Sequence, residues 1–251
     1  MKIDALFQQI EIWQEKTTWG NTLDAGTGEH SLRWLLTQNT SSLTAITGDK
    51  QRELTLKEQF KEQLGQKDRI RTGNWLNQSF LEQEKYDTVI ADYLLGAIEG
   101  FAPYFQHKLF SRLRQHCKGT LYVIGQEPFP LSPVDPGAQL IWELNRLRDS
   151  CILLAGHSCY REYPQHWVLE HLELSGYRIL RTQSFPIYFS HNYCNNQLRV
   201  CQSKLRFIEN RSLARELSVH IEALKERFYE YLSLNRTIQF GEDYVIQATI
   251  R

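Results

Sequence analysis

Residues 22–31 read Thr-Leu-Asp-Ala-Gly-Thr-Gly-Glu-His-Ser: an apolar run that stops at an acid and breaks into two glycines before a helical pattern begins. Glycines at positions 26 and 28 let the backbone turn tightly and let a ligand come close, and a strand-to-helix turn is where open α/β sheets bind their ligands. A bare Gly-x-Gly is weak evidence, but three neighbours strengthen it. Asp24 sits two residues before Gly26, at the carboxyl end of the run. Asp49 follows a second apolar run, 21 positions after Gly28, the spacing at which an acid reaches ribose hydroxyls. Ser31 holds the place where a dinucleotide fingerprint expects Gly or Ala.

The sign of Asp24 separates ligand classes. A pyrophosphate at this turn would be repelled by the carboxylate, whereas S-adenosylmethionine (SAM) carries an ammonium and a sulfonium that an acid favours. The loop therefore reads as a SAM site rather than a nicotinamide or flavin site. At this point the chain resembles the class I SAM-dependent methyltransferases, with LDAGTGEHS (23–31) as the glycine motif and Asp49 as the ribose acid. The resemblance extends through FGEDYVIQATI (240–250), which looks like the reversed seventh strand of that fold. It implies SAM as cofactor, with Asp24 holding its amino group and Ala25, Gly26, Thr27 and Gly28 packed against it. It further implies Asp49 on the ribose diol and Asn74 and Trp75, in the turn after the third strand, near the adenine. Members of the family often carry an acid at that turn, and here Asn74 keeps an amide oxygen without the charge. Asp92 and Tyr93, at the end of the fourth strand, fall where the family places the group facing the transferred methyl, so Asp92 joins both the cofactor-binding and the catalytic candidates.

Methyl transfer from a sulfonium is an in-line displacement, and alignment supplies much of the acceleration. A base is needed only for an acceptor that arrives protonated, and Asp92 and Tyr93 are the candidates for it. Glu127, beyond the fifth strand, and His157, Tyr160 and Arg161, in a polar-aromatic loop, are the substrate-binding candidates. The sequence Ala91-Asp92-Tyr93-Leu94 lacks the paired prolines of adenine or glutamine N-methylation, and no cysteine stands there to attack a pyrimidine ring. No metal-ligand pattern is evident, so no metal is expected. The expected acceptor is a small polar metabolite methylated at N or O, walled by Phe7, Trp13, Trp19 and the loop around Tyr160. Alternatives are a protein or RNA acceptor docked on an inserted helix, and a non-catalytic binding subunit of the same fold. Each residue also has a plainer reading: Asp24 as a turn acid, Asp49 as a solvated strand-end residue, Asn74 and Trp75 as a turn with a core tryptophan, Asp92 as a helix cap, and the 156–165 loop as a surface ion pair with packed tyrosines.

These residues need a scaffold that alternates strands and helices. Strands are expected at 21–25, 43–47, 69–71, 86–91 and 120–125, with helices at 29–36, 54–64 and 105–117 between them. Strands alternating with helices imply a parallel, doubly wound sheet. Prolines at 128, 130, 133 and 136 make 127–136 a loop. Helices at 137–154 and 166–175 follow, then a sixth strand within 177–189 and a closing strand at 244–250. The segment 196–234 is an amphipathic helical insertion, with Leu213, Leu217, Ile221, Leu224, Phe228 and Tyr231 at helical spacing. It is read as one long helix preceded by a shorter one, a lid, dimer interface or docking face unless its stripe is core. Ile3, Leu6, Ile10 and Trp13 predict an N-terminal helix within 1–19. The fold class is thus α/β, a doubly wound, mostly parallel seven-stranded sheet in one domain over 1–251, the last strand antiparallel.

Composition bounds the rest. The 251 residues carry 29 Lys+Arg and 29 Asp+Glu, a neutral balance that makes nucleic acid an unlikely partner, since phosphate binding needs an excess of bases. Apolar runs such as 121–124 are far below the ~20 residues that span a bilayer, so no membrane partner is expected. Five scattered cysteines without a CxxC pair read as reduced thiols of a cytoplasmic protein. A homodimer through the inserted helix is compatible with this pattern.

Overall fold

Short apolar runs separated by helices become parallel strands, because a chain returning in the same direction must cross the sheet in between. The computed structural model describes residues 4–251; Ile3, expected on the first helix, lies outside the described residues. Helix α1 (Ala5–Gln14) is capped by Asp4, whose side chain accepts the Leu6 N–H at 2.9 Å. Then come β1 (Asn21–Asp24), α2 (Glu29–Leu35), β2 (Ser42–Thr47), α3 (Lys50–Gln59), β3 (Arg69–Thr72), β4 (Tyr86–Asp92), α4 (Leu94–Ala97), α5 (Gln106–Arg114) and β5 (Cys117–Gln126). The second half holds α6 (Pro136–Leu154), α7 (Gln165–Leu174), β6 (Tyr177–Phe189), α8 (His191–Lys204), α9 (Arg211–Leu234) and β7 (Ile238–Ile250). The seven strands form one sheet in the order β3-β2-β1-β4-β5-β7-β6, and β7 runs antiparallel to β5.

Five boundaries differ from the sequence reading. Helix α3 begins at Lys50, not at 54, because Asp49 caps it by accepting the Arg52 N–H at 2.8 Å; its first turn is polar and leaves no apolar period. It also stops at Gln59, well before 64. Helix α5 ends at Arg114, since Cys117 already pairs with Tyr86 in the sheet. Strand β7 starts at Ile238, six residues before Tyr244. The helical segment starts at His191 and breaks before Asn210, whose side chain caps α9.

The chain divides into two compact units. The first comprises residues up to Glu127 with Arg161–Phe185 and Asp243–Arg251. Its strands bury apolar residues on both faces, as parallel strands covered by helices must. One face carries Leu23, Val89, Ala91, Leu121, Val123, Ile246 and Ala248. The other carries Ile90, Tyr122, Ile124 and Val245 and is covered by Leu6, Phe7 and Ile10 of α1. The second unit, Pro128–Tyr160 with Pro186–Glu242, takes in more than the expected insertion at 196–234. Its core joins Ile141 and Leu144 of α6, Cys194 and Leu198 of α8, and Ile221, Leu224 and Phe228 of α9, so the stripe on α9 is core. Among the described residues no helix is long and apolar enough to cross a membrane.

Candidate functional site

The turn after β1 is tied down on both sides. Ala25 N–H donates to Ile90 O at 2.8 Å, and Thr27 N–H donates to Ile46 O at 2.6 Å. Gly26 is required by close approach, since a Cβ there would meet Leu94 Cδ1 at 2.7 Å. At Gly28 the position of a Cβ is open space, with nothing within 4 Å. Ser31 then links the turn to its acid: its hydroxyl donates to Asp24 Oδ2 at 2.8 Å and accepts the Gly28 N–H at 3.1 Å.

Asp24 is fully buried, and its Oδ1 has no hydrogen-bond partner. Burial pushes its carboxyl up to about 6, against the Ser31 hydrogen bond and the nearby polar groups of Thr27 and Gly26, which favour the charged form. A buried carboxylate oxygen without a donor is costly, and this one belongs to the acid that Ser31 ties to the glycine turn.

Trp75 reaches that turn from beneath. Its ring is buried, and its indole N–H donates to Ala25 O at 2.8 Å. Phe80 packs edge-on at 5.6 Å, and the Arg112 guanidinium sits 5.9 Å from the ring centre while bonding the carbonyls of Asn77, Gln78 and Phe80. Trp75 is thus the core tryptophan of the plainer reading, and also a prop for the loop. Trp75→Phe is expected to destabilise the fold by about 2 kcal/mol, because it leaves the buried Ala25 carbonyl without a donor. Urea unfolding checks this, and a loss within ~0.3 kcal/mol, well inside the range of neutral surface changes, would refute it.

At the end of β2, Asp49 is exposed and already serves as the α3 cap. Asn74 is engaged locally: its Oδ1 accepts the Leu76 N–H at 2.9 Å and its Nδ2 donates to Phe101 O at 2.8 Å. The sequence reading missed Phe101. Its partly exposed ring lies where a Cβ on Gly48 would collide with it, at 2.5 Å, so Gly48, Asp49, Asn74 and Phe101 share one edge. The only sequence signal was a glycine directly before the acid.

Asp92 closes β4 and makes no hydrogen bond with the described residues. Burial, then the charges of Asp24, Asp4 and Asp243, push its carboxyl up to about 8. The helix-cap reading does not hold, because the cap position of α4 is Tyr93, with φ of 46° in the left-handed region. Tyr93 N–H donates to Ile124 O at 3.0 Å, and its phenol acts electrostatically on Asp243. Burial and the neighbouring carboxylates push the phenol far up. Burial likewise raises Asp243 to about 6, and its Oδ1 has no partner. Asp243 was another residue missed from sequence, hidden at the start of what looked like a closing strand.

The other candidates are spent locally. Glu127 Oε1 accepts the Gln165 N–H at 2.8 Å, at the start of α7. Arg161 pairs with the buried Glu99 at 3.6 Å, its N–H donates to Gly96 O at 3.2 Å, and Tyr163 packs on Trp167 at 4.4 Å, which matches the ion-pair reading of that loop. His157 and Tyr160 belong to the second unit. There His157 meets Lys204 at 3.2 Å and Phe207 edge-on, and Tyr160 is exposed. The expected aromatic wall is used for packing: Phe7 stacks on Trp34 at 4.2 Å, Trp19 meets Trp34 edge-on at 5.7 Å, and Trp13 packs against the same cluster.

A seven-stranded sheet in this order with β7 reversed, and a glycine turn after β1, is the class I methyltransferase fold. Solved structures bear this out over nearly the whole chain. A candidate methyltransferase of Bacillus halodurans is 16% identical, with 98% of each chain covered and a TM-score of 0.63. A SAM-dependent methyltransferase of Geobacter sulfurreducens, in complex with S-adenosyl-L-homocysteine, is 11% identical over 97% of this chain and 90% of its own, with a TM-score of 0.53. The (4+2)-cyclase SpnF is 14% identical over 97% and 80%, also with a TM-score of 0.53. No protein-family model and no curated protein matches the chain.

Proposed function

We propose that the protein is a SAM-dependent methyltransferase of the cytoplasm that transfers a methyl group to N or O of a small polar metabolite. The observation that carries this reading is the orphaned carboxylate oxygen of the fully buried Asp24, which Ser31 ties to a glycine turn with open space at Gly28. That donor set fits the cofactor, whose amino group would supply the missing hydrogen bond. When bound, SAM supplies an electrophilic methyl group on a sulfonium. The chain's own part is to hold and orient. Asp24 takes the amino group, the backbone of Ala25–Gly28 packs beside it, and Asp49 offers its free oxygen to the ribose. Asp92 and Tyr93 stand on the neighbouring strand end, where a base for the acceptor is needed. Five free cysteines support a reducing compartment.

Isothermal titration with SAM and S-adenosylhomocysteine tests the reading. Failure of the wild-type protein to bind either would leave only a non-catalytic role. Asp49→Asn is the sharper probe, because asparagine still caps α3 but loses the charged acceptor. Affinity is expected to fall about tenfold or more, as for a hydrogen bond to a charged group, with the melting temperature unchanged. Normal affinity would place the ribose elsewhere.

A further inference from the structure

Three carboxylates stand on one face of the sheet at the ends of adjacent strands. In the register, Asp24 pairs with Ile90, Asp92 with Ile124, and Asp243 with Gln126. Side chains alternate along a strand, so Asp24, Asp92 and Asp243 share the face of Ile90, Ile124 and Val245, which α1 covers. Asp4, at the start of α1, acts electrostatically on both Asp92 and Asp243. Among the described residues, the charged and titratable groups acting on Asp92 and Asp243 are Asp4, Asp24, Tyr93 and each other, with no lysine, arginine or histidine.

Two independent features show that something is missing from this face. Oδ1 of the fully buried Asp24 and Oδ1 of Asp243 are both buried without a hydrogen-bond partner. The half-buried Asp92 side chain has no hydrogen-bond partner among the described residues. The group is not arranged for a metal: among the described residues no three acid, histidine or cysteine side chains are set to hold an ion. Carboxylate oxygens without a donor on one face call for a cation that brings N–H donors. One such cation, the cofactor's amino group, satisfies Asp24 and leaves Asp92 and Asp243. A carboxylate acceptor would be repelled there, and an alcohol brings no charge. An amine brings both the charge and several N–H donors.

We propose that the methyl acceptor is a small amine, bound as its ammonium ion between Asp92 and Asp243, with Asp92 taking its proton. This rests on SAM binding at the adjacent turn. In the step, an N–H bond breaks, its electron pair stays on nitrogen, and an O–H bond forms on Asp92. Burial disfavours both the ammonium and the carboxylate, so the transfer neutralises a pair of ions at a half-buried site. Asp92 later returns the proton to water. The freed lone pair is the nucleophile that methyl transfer requires. Asp243 positions the amine beside the Tyr93 phenol.

The test has two arms and one control. In the first, methylammonium chloride is added to the protein without cofactor at pH 8 and compared with sodium chloride at equal ionic strength. Methylammonium is expected to raise the melting temperature, and Asp243→Asn to abolish the difference. In the second, methyl-labelled SAM is supplied with a pool of small primary and secondary amines, or with a size-matched pool of alcohols, phenols and carboxylates. Label is expected in the amine pool, with kcat lowered about a hundredfold by Asp92→Asn, the scale of a lost general base, and KM raised about tenfold by Asp243→Asn, the scale of one lost charged hydrogen bond. Label in the other pool, label in neither, or no methylammonium effect would overturn the proposal. The control is SAM titration of the same samples: if SAM itself does not bind, the methyltransferase reading fails instead.

Discussion

Asp92→Asn is expected to melt higher than the wild-type protein at pH 8 and to lose about 99% of its turnover. The two effects have one origin. Burial and three neighbouring acids hold the folded-state carboxyl up near 8, against about 3.9 in an unfolded chain. The folded protein therefore binds this proton more tightly than the unfolded one. The contribution is fully favourable below about pH 4 and is lost as pH rises toward 8, at up to ~1.4 kcal/mol per pH unit. Asparagine removes that loss. At pH 8 a gain of about 5 °C or more follows from a few kcal/mol in a chain of this size, and at pH 4 the difference should close. Melting curves at the two pH values check this, and an equal difference at both would show that the carboxylate is not the source. The site thus carries a destabilising acid whose removal stabilises the fold at the cost of function.

Asp24→Asn should raise the dissociation constant for SAM about thirtyfold to several thousandfold, the range for truncating a buried, hydrogen-bonded charge pair at about 2–5 kcal/mol. The pH dependence is the more telling part. In the empty site burial holds the Asp24 carboxyl at about 6, and the cofactor's ammonium requires it ionised. Wild-type affinity should be flat above pH 7 and fall as pH drops through 6, approaching tenfold per unit. The asparagine variant should show no such fall. Titration calorimetry between pH 5 and 8 decides it, and a wild-type affinity independent of pH would remove Asp24 from the contact.

The alternation of strands and helices and the glycine turn were legible because both rest on local rules: apolar runs, two glycines and an acid at the end of a strand. Asp24, Asp49 and Asp92 stood out for that reason. What the sequence hid depends on packing between distant segments. Asp243 pairs through Gln126 with a strand more than a hundred residues earlier, and its approach to Tyr93 exists only in the folded sheet. Phe101 meets Gly48 across some fifty residues of sequence. The aromatic residues of α1 were misassigned to a substrate wall because an aromatic at helical spacing looks the same whether it lines a cavity or, like Phe7, stacks on Trp34. Asn74 and Arg161 illustrate the same limit, since polar residues in a loop gave no sign that Phe101 O, Glu99 and Gly96 O already held them.

The contact between Gly26 and Leu94 reaches further than the turn it shapes. Leu94 follows Tyr93 directly, so the side chain that would have to shift for a substitution in the glycine turn belongs to the segment proposed to face the acceptor. Positions 26 and 94 are one variable in any redesign: alanine in the turn needs a shorter residue beside Tyr93, and a bulkier residue there pushes on the turn. Under the proposed function, a change that alters the grip on the cofactor at position 26 is expected to alter the acceptor side through position 94 as well.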